Sequence, residues 1–174
     1  MNYFELFGLP IAFKADTHQL RNAFMHIQRA SHPDKFVQGT EAEQEMALEQ
    51  SAIANKGFSL LNNAEKILPY VLEISGHIQA DEKYNLAPDF LMEMMDINEK
   101  MMELSANDVL AITDVTNEIS ILEKSLNDYL QASCKQFDAH DHNDQAAVLL
   151  AIKDAYYRKK YLLRIKDSLN KFAS

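Results

Sequence analysis

The chain has one cysteine, no tryptophan, four glycines and four prolines in 174 residues. A lone Cys134 excludes an internal disulfide and any Cys-x-x-Cys metal site, and it fits a reducing, intracellular setting. So little Gly and Pro beside 47% hydrophobic residues excludes a disordered or collagen-like chain and predicts a globular, helix-rich one. No apolar run approaches the roughly 20 residues that a membrane span needs, and the basic and apolar regions of a signal peptide are missing. Met1 leads almost directly into helical sequence, so no transit peptide is expected and the cytoplasm is the expected location. Strand-like alternation, a phosphate-cradling Gly loop, a nucleophile elbow and a catalytic triad are all absent. The sequence therefore predicts an all-α protein that is not an enzyme, with no cofactor and no metal.

Cationic residues are outnumbered, 17 Lys and Arg against 26 Asp and Glu, and the net charge of −9 argues against nucleic acid as a partner. The distribution is uneven. Residues 81–108 carry eight carboxylates against two lysines, whereas residues 153–171 carry seven cationic side chains against two carboxylates. Pairing of these stretches inside one bundle is the expected reason for the contrast, with Arg158-Lys159-Lys160 facing either the acidic helix or solvent.

The chain is organised around residues 20–36. Leu20, Phe24 and Ile27, with Ala23 and Ala30, recur at helical spacing, and the other faces carry Arg21, Asn22, His26 and Arg29. Asp16 or Thr17 opens this helix, with Gln19 at capping-box spacing from Asp16. Pro33 ends it, because it has no N–H to donate and pushes His32 toward an extended conformation. The result is a stiff, exposed His32-Pro33-Asp34 corner followed by Lys35, at the end of a basic helix.

Thr40-x-x-Glu43 opens a second long helix, through about Leu61, that packs antiparallel to the first, with Tyr3, Phe4 and Phe7 closing one side. Asn62-Asn63 restarts the pattern as 64–75, where Pro69 requires either a kink or an early helix start. Residues 1–75 are thus expected as a first domain, 76–87 as a linker and 88–174 as a second, three-helix domain. In that second domain Pro88 starts a helix to about Leu104, and Ser105-x-x-Asp108 caps the next. That helix places Val115, Ile119, Leu122, Leu126 and Tyr129 on a seam. The last helix turns Val148, Leu149, Ile152, Ala155, Tyr156, Leu162, Leu163 and Leu169 inward. His140, Asp141, His142 and Asp144 resemble metal ligands by type but read as a cap and turn between helices.

At about 100° per residue, Phe90, Met94, Ile97, Met101 and Leu104 fall on one line and belong in the core. Leu91, Met95 and Met102 fall to one side, Met92 and Glu99 nearly opposite, and Asp96 and Glu103 beyond them. Two neighbouring helices cannot cover all of that second set. An exposed strip of Leu and Met rimmed by carboxylates is expected, which is how adaptable interaction sites look.

In order, Tyr3-Phe4-Glu5-Leu6-Phe7-Gly8-Leu9-Pro10, the basic helix, His32-Pro33-Asp34-Lys35-Phe36 and a second long helix resemble a J domain, the module that activates DnaK-class ATPase chaperones. J domains usually carry an aromatic residue before the His; Ser31 stands there and implies lighter packing of the corner. With residues 89–99 (Asp89-Phe90-Leu91-Met92-Glu93-Met94-Met95-Asp96-Ile97-Asn98-Glu99), Gln50-Ser51-Ala52-Ile53-Ala54-Asn55 and Tyr70-Val71-Leu72, the whole chain resembles the HscB family of iron–sulfur cluster co-chaperones. The resemblance implies an antiparallel helical hairpin with an HPD loop followed by a three-helix bundle. It implies a specialised DnaK-like (HscA-type) chaperone docking on His32, Pro33, Asp34, Lys35, Arg21 and Arg29 and accelerated in its ATP hydrolysis. An iron–sulfur cluster scaffold protein (IscU-type) would dock on Leu91, Met92, Met95, Asp96, Glu99, Glu103 and Tyr157. A monomer is expected. The zinc-binding Cys-x-x-Cys segment that eukaryotic members often add is missing, which favours a bacterial protein. The alternative is a general J-domain co-chaperone with a different client.

Overall fold

A computed structural model describes residues 1–79, 81–139 and 144–173, with the side chain of Ala173 outside that description. Among the described residues there is no strand. The chain divides into two units, Met1–Gly76 and His77–Ser174.

The first unit holds α1 (Tyr3–Phe7), α2 (Thr17–Ala30), a 3-10 turn (Pro33–Phe36), α3 (Glu41–Leu61) and α4 (Ala64–Ile74). Local chemistry fixes each start. The Asn2 side chain accepts from the Glu5 N–H while Glu5 accepts from the Asn2 N–H, and Gly8 closes α1 at φ 63°. Asp16 caps α2 by accepting from the Gln19 N–H at 2.8 Å. Thr40 and Glu43 complete the predicted capping box on α3, and the Thr40 N–H holds the Glu43 carboxyl below its ordinary value.

α2 and α3 run antiparallel, since Phe24 stacks on Phe58 at 4.4 Å and Gln28 bonds both the Ser51 carbonyl and the Asn55 side chain. The Ser51 hydroxyl returns a bond to Gln28 at 3.0 Å. Gly57 lets α1 lie against α3, because a Cβ there would stand 2.6 Å from Tyr3 Cδ1 and 3.0 Å from Phe7 Cε2. α4 closes over α1: the Tyr3 N–H donates to the Tyr70 hydroxyl oxygen at 2.7 Å, and Ile67, Val71 and Leu72 are buried. Pro69 lies inside α4 and not in its first turn, with Asn63 capping the start.

The second unit is a bundle of α5 (Pro88–Met102), α6 (Val109–Asp138) and α7 (Gln145–Ala173). Its core joins Phe90, Met94 and Ile97 of α5 to Val115 and Ile119 of α6 and Leu162, Ile165 and Leu169 of α7. Two local expectations are corrected. Asp108, not Ser105, caps α6 by accepting from the Ala111 N–H, while the Ser105 carbonyl takes the Asp108 N–H in the preceding turn. The seam of α6 passes through Leu130, 5% exposed, and not Tyr129, 52% exposed.

The acidic and basic stretches pair in part: among the described residues Lys153 pairs with Glu82, whereas Arg158 pairs with Asp154 on its own helix and Lys166 with Glu123 of α6. On α5, Lys100 pairs with Glu118 of α6, which raises the lysine pKa.

Candidate functional site

The end of α2 builds the first candidate surface. Ser31 is 1% exposed and donates its hydroxyl to the Ile27 carbonyl at 2.9 Å, so a small polar residue fits this buried point without an unpartnered oxygen. His32 then takes an extended conformation at φ −65° and ψ 130° and caps the 3-10 turn. Its Nδ1 accepts the Asp34 N–H at 3.3 Å, leaving Nε2 as the donor of the neutral ring. The Asp34 carboxylate lies 3.5 Å from the same nitrogen and is 86% exposed, with His32 at 58%. Gln44 of α3 pins the far side of the turn by donating to the Phe36 carbonyl at 2.9 Å and the Gly39 carbonyl at 3.3 Å. Pro33, Phe36, Val37 and Leu48 line a shallow apolar cleft beside it.

Arg21, Arg29 and Lys35 are exposed, and no ion pair among the described residues reaches any of them. All six residues of the first predicted set are therefore accessible on one unit.

The second surface is the outer side of α5. Met92 is 66% exposed and Met95 58%, Asp96, Glu99 and Glu103 are exposed, and Leu91 is half-buried. Asp96, Glu99 and Glu103 line one shallow acidic hollow with Glu93, Lys100 and Glu118. Leu91 lies on the opposite flank and lines a different cleft, which it shares with Tyr157. Tyr157 is half-buried, stacks on Tyr84 with ring centroids 4.5 Å apart and 9° between planes, and donates its hydroxyl to Glu82 at 3.3 Å. Burial raises its pKa.

Sequence reasoning missed Glu82 and Tyr84, which it assigned to the connecting segment. Glu82 takes Lys153 as its ion-pair partner, and that hydrogen bond lowers its pKa. Tyr84 donates to Asp154 at 2.8 Å, and burial pushes its pKa up to about 12. An aromatic residue just ahead of the Pro88 helix start was the available signal. Met102, expected on the same strip, is exposed, and so are Val109 and Leu110 at the start of α6.

His140, Asp141 and His142 lie outside the described residues. Among the described residues no group of three or more His, Cys, Asp or Glu could hold a metal ion. No helix among them is long and apolar enough to cross a membrane. Burial pushes the Cys134 thiol up to about 12, which makes it a poor nucleophile near neutral pH.

A helical hairpin closed by an exposed His-Pro-Asp corner, joined to a separate three-helix bundle, defines a J-domain protein of the co-chaperone class. Residues 86–170 match the HSCB C-terminal oligomerisation domain. Two proteins named co-chaperone protein HscB homolog, from Vibrio cholerae serotype O1 strains M66-2 and ATCC 39541, are 28% identical over 98% of this chain and 96% of theirs. The solved chaperone HscB from Vibrio cholerae superposes with a TM-score of 0.64 at 26% identity, covering 98% of this chain and 96% of that one. Human co-chaperone protein HscB shares the fold at a TM-score of 0.63 and 24% identity, over 98% of this chain and 81% of its own. Over nearly its whole length the chain is similar to co-chaperones of the HscB family.

Proposed function

We propose that this protein is an adaptor in iron–sulfur cluster protein maturation and catalyses no reaction of its own. The first unit engages a specialised DnaK-like (HscA-type) ATPase chaperone and accelerates its ATP hydrolysis. The second unit holds the IscU-type cluster scaffold protein and delivers it to that chaperone. The setting is the bacterial cytoplasm.

The observation that carries this reading is the pair of exposed features on one chain: the Asp34 carboxylate, braced by His32 and Pro33, and the Met92–Met95 surface edged by carboxylates. A carboxylate that accepts no strong cation within its own fold is free to accept a partner guanidinium, the pairing whose geometry is most specific. Arg21 and Arg29 on α2 and Lys35 in the turn favour an acidic partner surface and speed encounter with it. The unbranched thioethers of Met92 and Met95 repack readily against a client, while Asp96, Glu99 and Glu103 select its charge.

Covalent linkage supplies the physical logic. Two modest affinities on one chain raise the effective concentration of scaffold at the chaperone without any new contact.

The test is a double dissociation. Asp34→Asn should abolish ATPase stimulation and leave scaffold binding intact, and the combined Leu91→Ala, Met92→Ala, Met95→Ala change should do the reverse. Retention of full stimulation by Asp34→Asn would overturn the assignment of the first unit. Stimulation without any scaffold binding by the wild-type chain would point to a general J-domain co-chaperone with another client.

A further inference from the structure

Five of the eight methionines lie on α5, between Met92 and Met102. Met92 and Met95 are three residues apart and Met95 and Met102 seven, so at about 100° per residue the three fall within roughly 80° of one another on the outer side of the helix. Burial divides the five accordingly. Met102 is 85% exposed and Met92 and Met95 are exposed, whereas Met94 is 0% exposed in the core and Met101 is half-buried against it. Met25 and Met46 are exposed too, but each is the only methionine of its helix.

A thioether takes an oxygen atom without first ionising, so access to oxidant governs its reaction. Cysteine usually competes through its thiolate. Here Cys134 is half-buried and its thiol is pushed up to about 12, which leaves the exposed thioethers as the groups that meet an oxidant first. The carboxylates of Asp96, Glu99 and Glu103 around them are exposed as well, and their field disfavours an anionic oxidant and admits a neutral one such as hydrogen peroxide.

We propose that Met92, Met95 and Met102 form a reversible oxidation site for hydroperoxides, and that their sulfoxides loosen the hold of α5 on the scaffold protein. The second half rests on α5 being the scaffold-binding face. In the forward step a sulfur lone pair attacks one peroxide oxygen, the O–O bond breaks as the S–O bond forms, and the other oxygen leaves as water with both peroxide protons. Sulfur gives up two electrons and the peroxide takes them. In the return step two thiols of a methionine sulfoxide reductase carry the oxygen off as water and close to a disulfide. The product changes an adaptable apolar contact into a polar one. Flanking carboxylates only accept hydrogen bonds, so they offer the new oxygen no donor, and covering it with a partner is costly. The fold is spared because the three side chains point away from the core that Met94 helps to fill.

The experiment treats the full chain with hydrogen peroxide, removes the peroxide with catalase, and only then adds scaffold. Peptide mass mapping follows each methionine, calorimetry the scaffold affinity, and circular dichroism the melting curve. A Met92→Leu, Met95→Leu, Met102→Leu chain is treated in the same way, and each chain is compared with its own untreated sample. We expect Met92, Met95 and Met102 to gain oxygen at least about tenfold faster than Met94, with Cys134 unchanged and the melting curve unmoved. Affinity should then fall about tenfold in the wild-type chain, recover after incubation with the reductase and dithiothreitol, and change less than about twofold in the Leu chain. Oxidation of Met94 as fast as the outer three would overturn the site. An equal loss in the Leu chain would place the sensitive group elsewhere and overturn the proposal. Unchanged affinity with all three sulfoxides formed, while the untreated Leu91→Ala, Met92→Ala, Met95→Ala chain has lost binding, would overturn the switch and spare the α5 reading. Undiminished binding by that Ala chain would overturn the α5 reading and the switch with it.

Discussion

Asp34 donates its backbone N–H to the His32 ring at 3.3 Å, so the imidazole braces the peptide that carries the exposed carboxylate. Pro33 between them holds the chain in the turn without needing a hydrogen bond of its own. The corner is thus stiff before any partner arrives, and less ordering entropy is lost on binding.

Asp34→Asn keeps the shape and removes the charge. Truncating one member of a desolvated charge pair costs about 2 kcal/mol or more, so chaperone affinity or stimulation should fall at least about thirtyfold. The melting temperature should not move, because the side chain is exposed and among the described residues its ion-pair contact is only with His32. Steady-state ATPase assays and thermal melts check both halves.

On α5, replacing Leu91, Met92 and Met95 together with Ala should weaken scaffold binding about a hundredfold, at roughly 1 kcal/mol per truncated contact. Met92 and Met95 are exposed, so most of that loss should come from the interface and not from unfolding. Calorimetric titration against the scaffold, with circular dichroism as the fold control, measures it.

Gly57→Ala would improve helix propensity by about 1 kcal/mol, yet the new Cβ would collide with the Tyr3 and Phe7 rings. Overpacking of this kind costs about 1–3 kcal/mol, and the collision at 2.6 Å puts the net change on the destabilising side. Hydrogen exchange should show the first unit opening more often and the second unit unchanged. Equal protection in both would contradict the close approach of α1 to α3.

The Glu82 carboxyl titrates below its ordinary value of 4.5 because Lys153 donates to it. A depressed carboxylate pKa contributes stability that is present above the ordinary value and is lost as the pH falls through the folded one. The segment around residues 82–86 should therefore loosen on α7 as the pH drops below 4.5. Exchange of its backbone amides, or the near-ultraviolet signal of the Tyr84–Tyr157 stack, should report the change. Glu82→Gln should look loosened already at neutral pH and flatten the dependence; a wild-type profile in that variant would exclude Glu82 as the source.

Much of this was readable from residues alone wherever the determinant was local. The Thr40-x-x-Glu43 box and the Pro33 stop act within one turn of chain, and both stand where the sequence places them. The division of α5 into buried Phe90, Met94 and Ile97 and exposed Met92 and Met95 follows from helical periodicity. Where two local signals competed, spacing could not choose. Ser105 and Asp108 are both good cap residues, and the turn between them decided for Asp108. Tyr129 and Leu130 are adjacent on α6, and Leu130 is the one the fold buries. The partners of Glu82 and Tyr84 are some 70 residues away on α7, a distance across which no periodicity carries information.

The central claim is that one polypeptide must hold chaperone and scaffold together, and complementation in trans tests it most directly. Single-turnover ATP hydrolysis by the chaperone is followed with scaffold present, using wild-type chain, each variant alone, and an equimolar mixture of Asp34→Asn with the Leu91→Ala, Met92→Ala, Met95→Ala chain. Every functional surface is present in the mixture, but never both on one molecule. The account predicts that the mixture gives no more than the stimulation of the α5 variant alone, far short of wild type with scaffold. Full wild-type synergy from the mixture would contradict it.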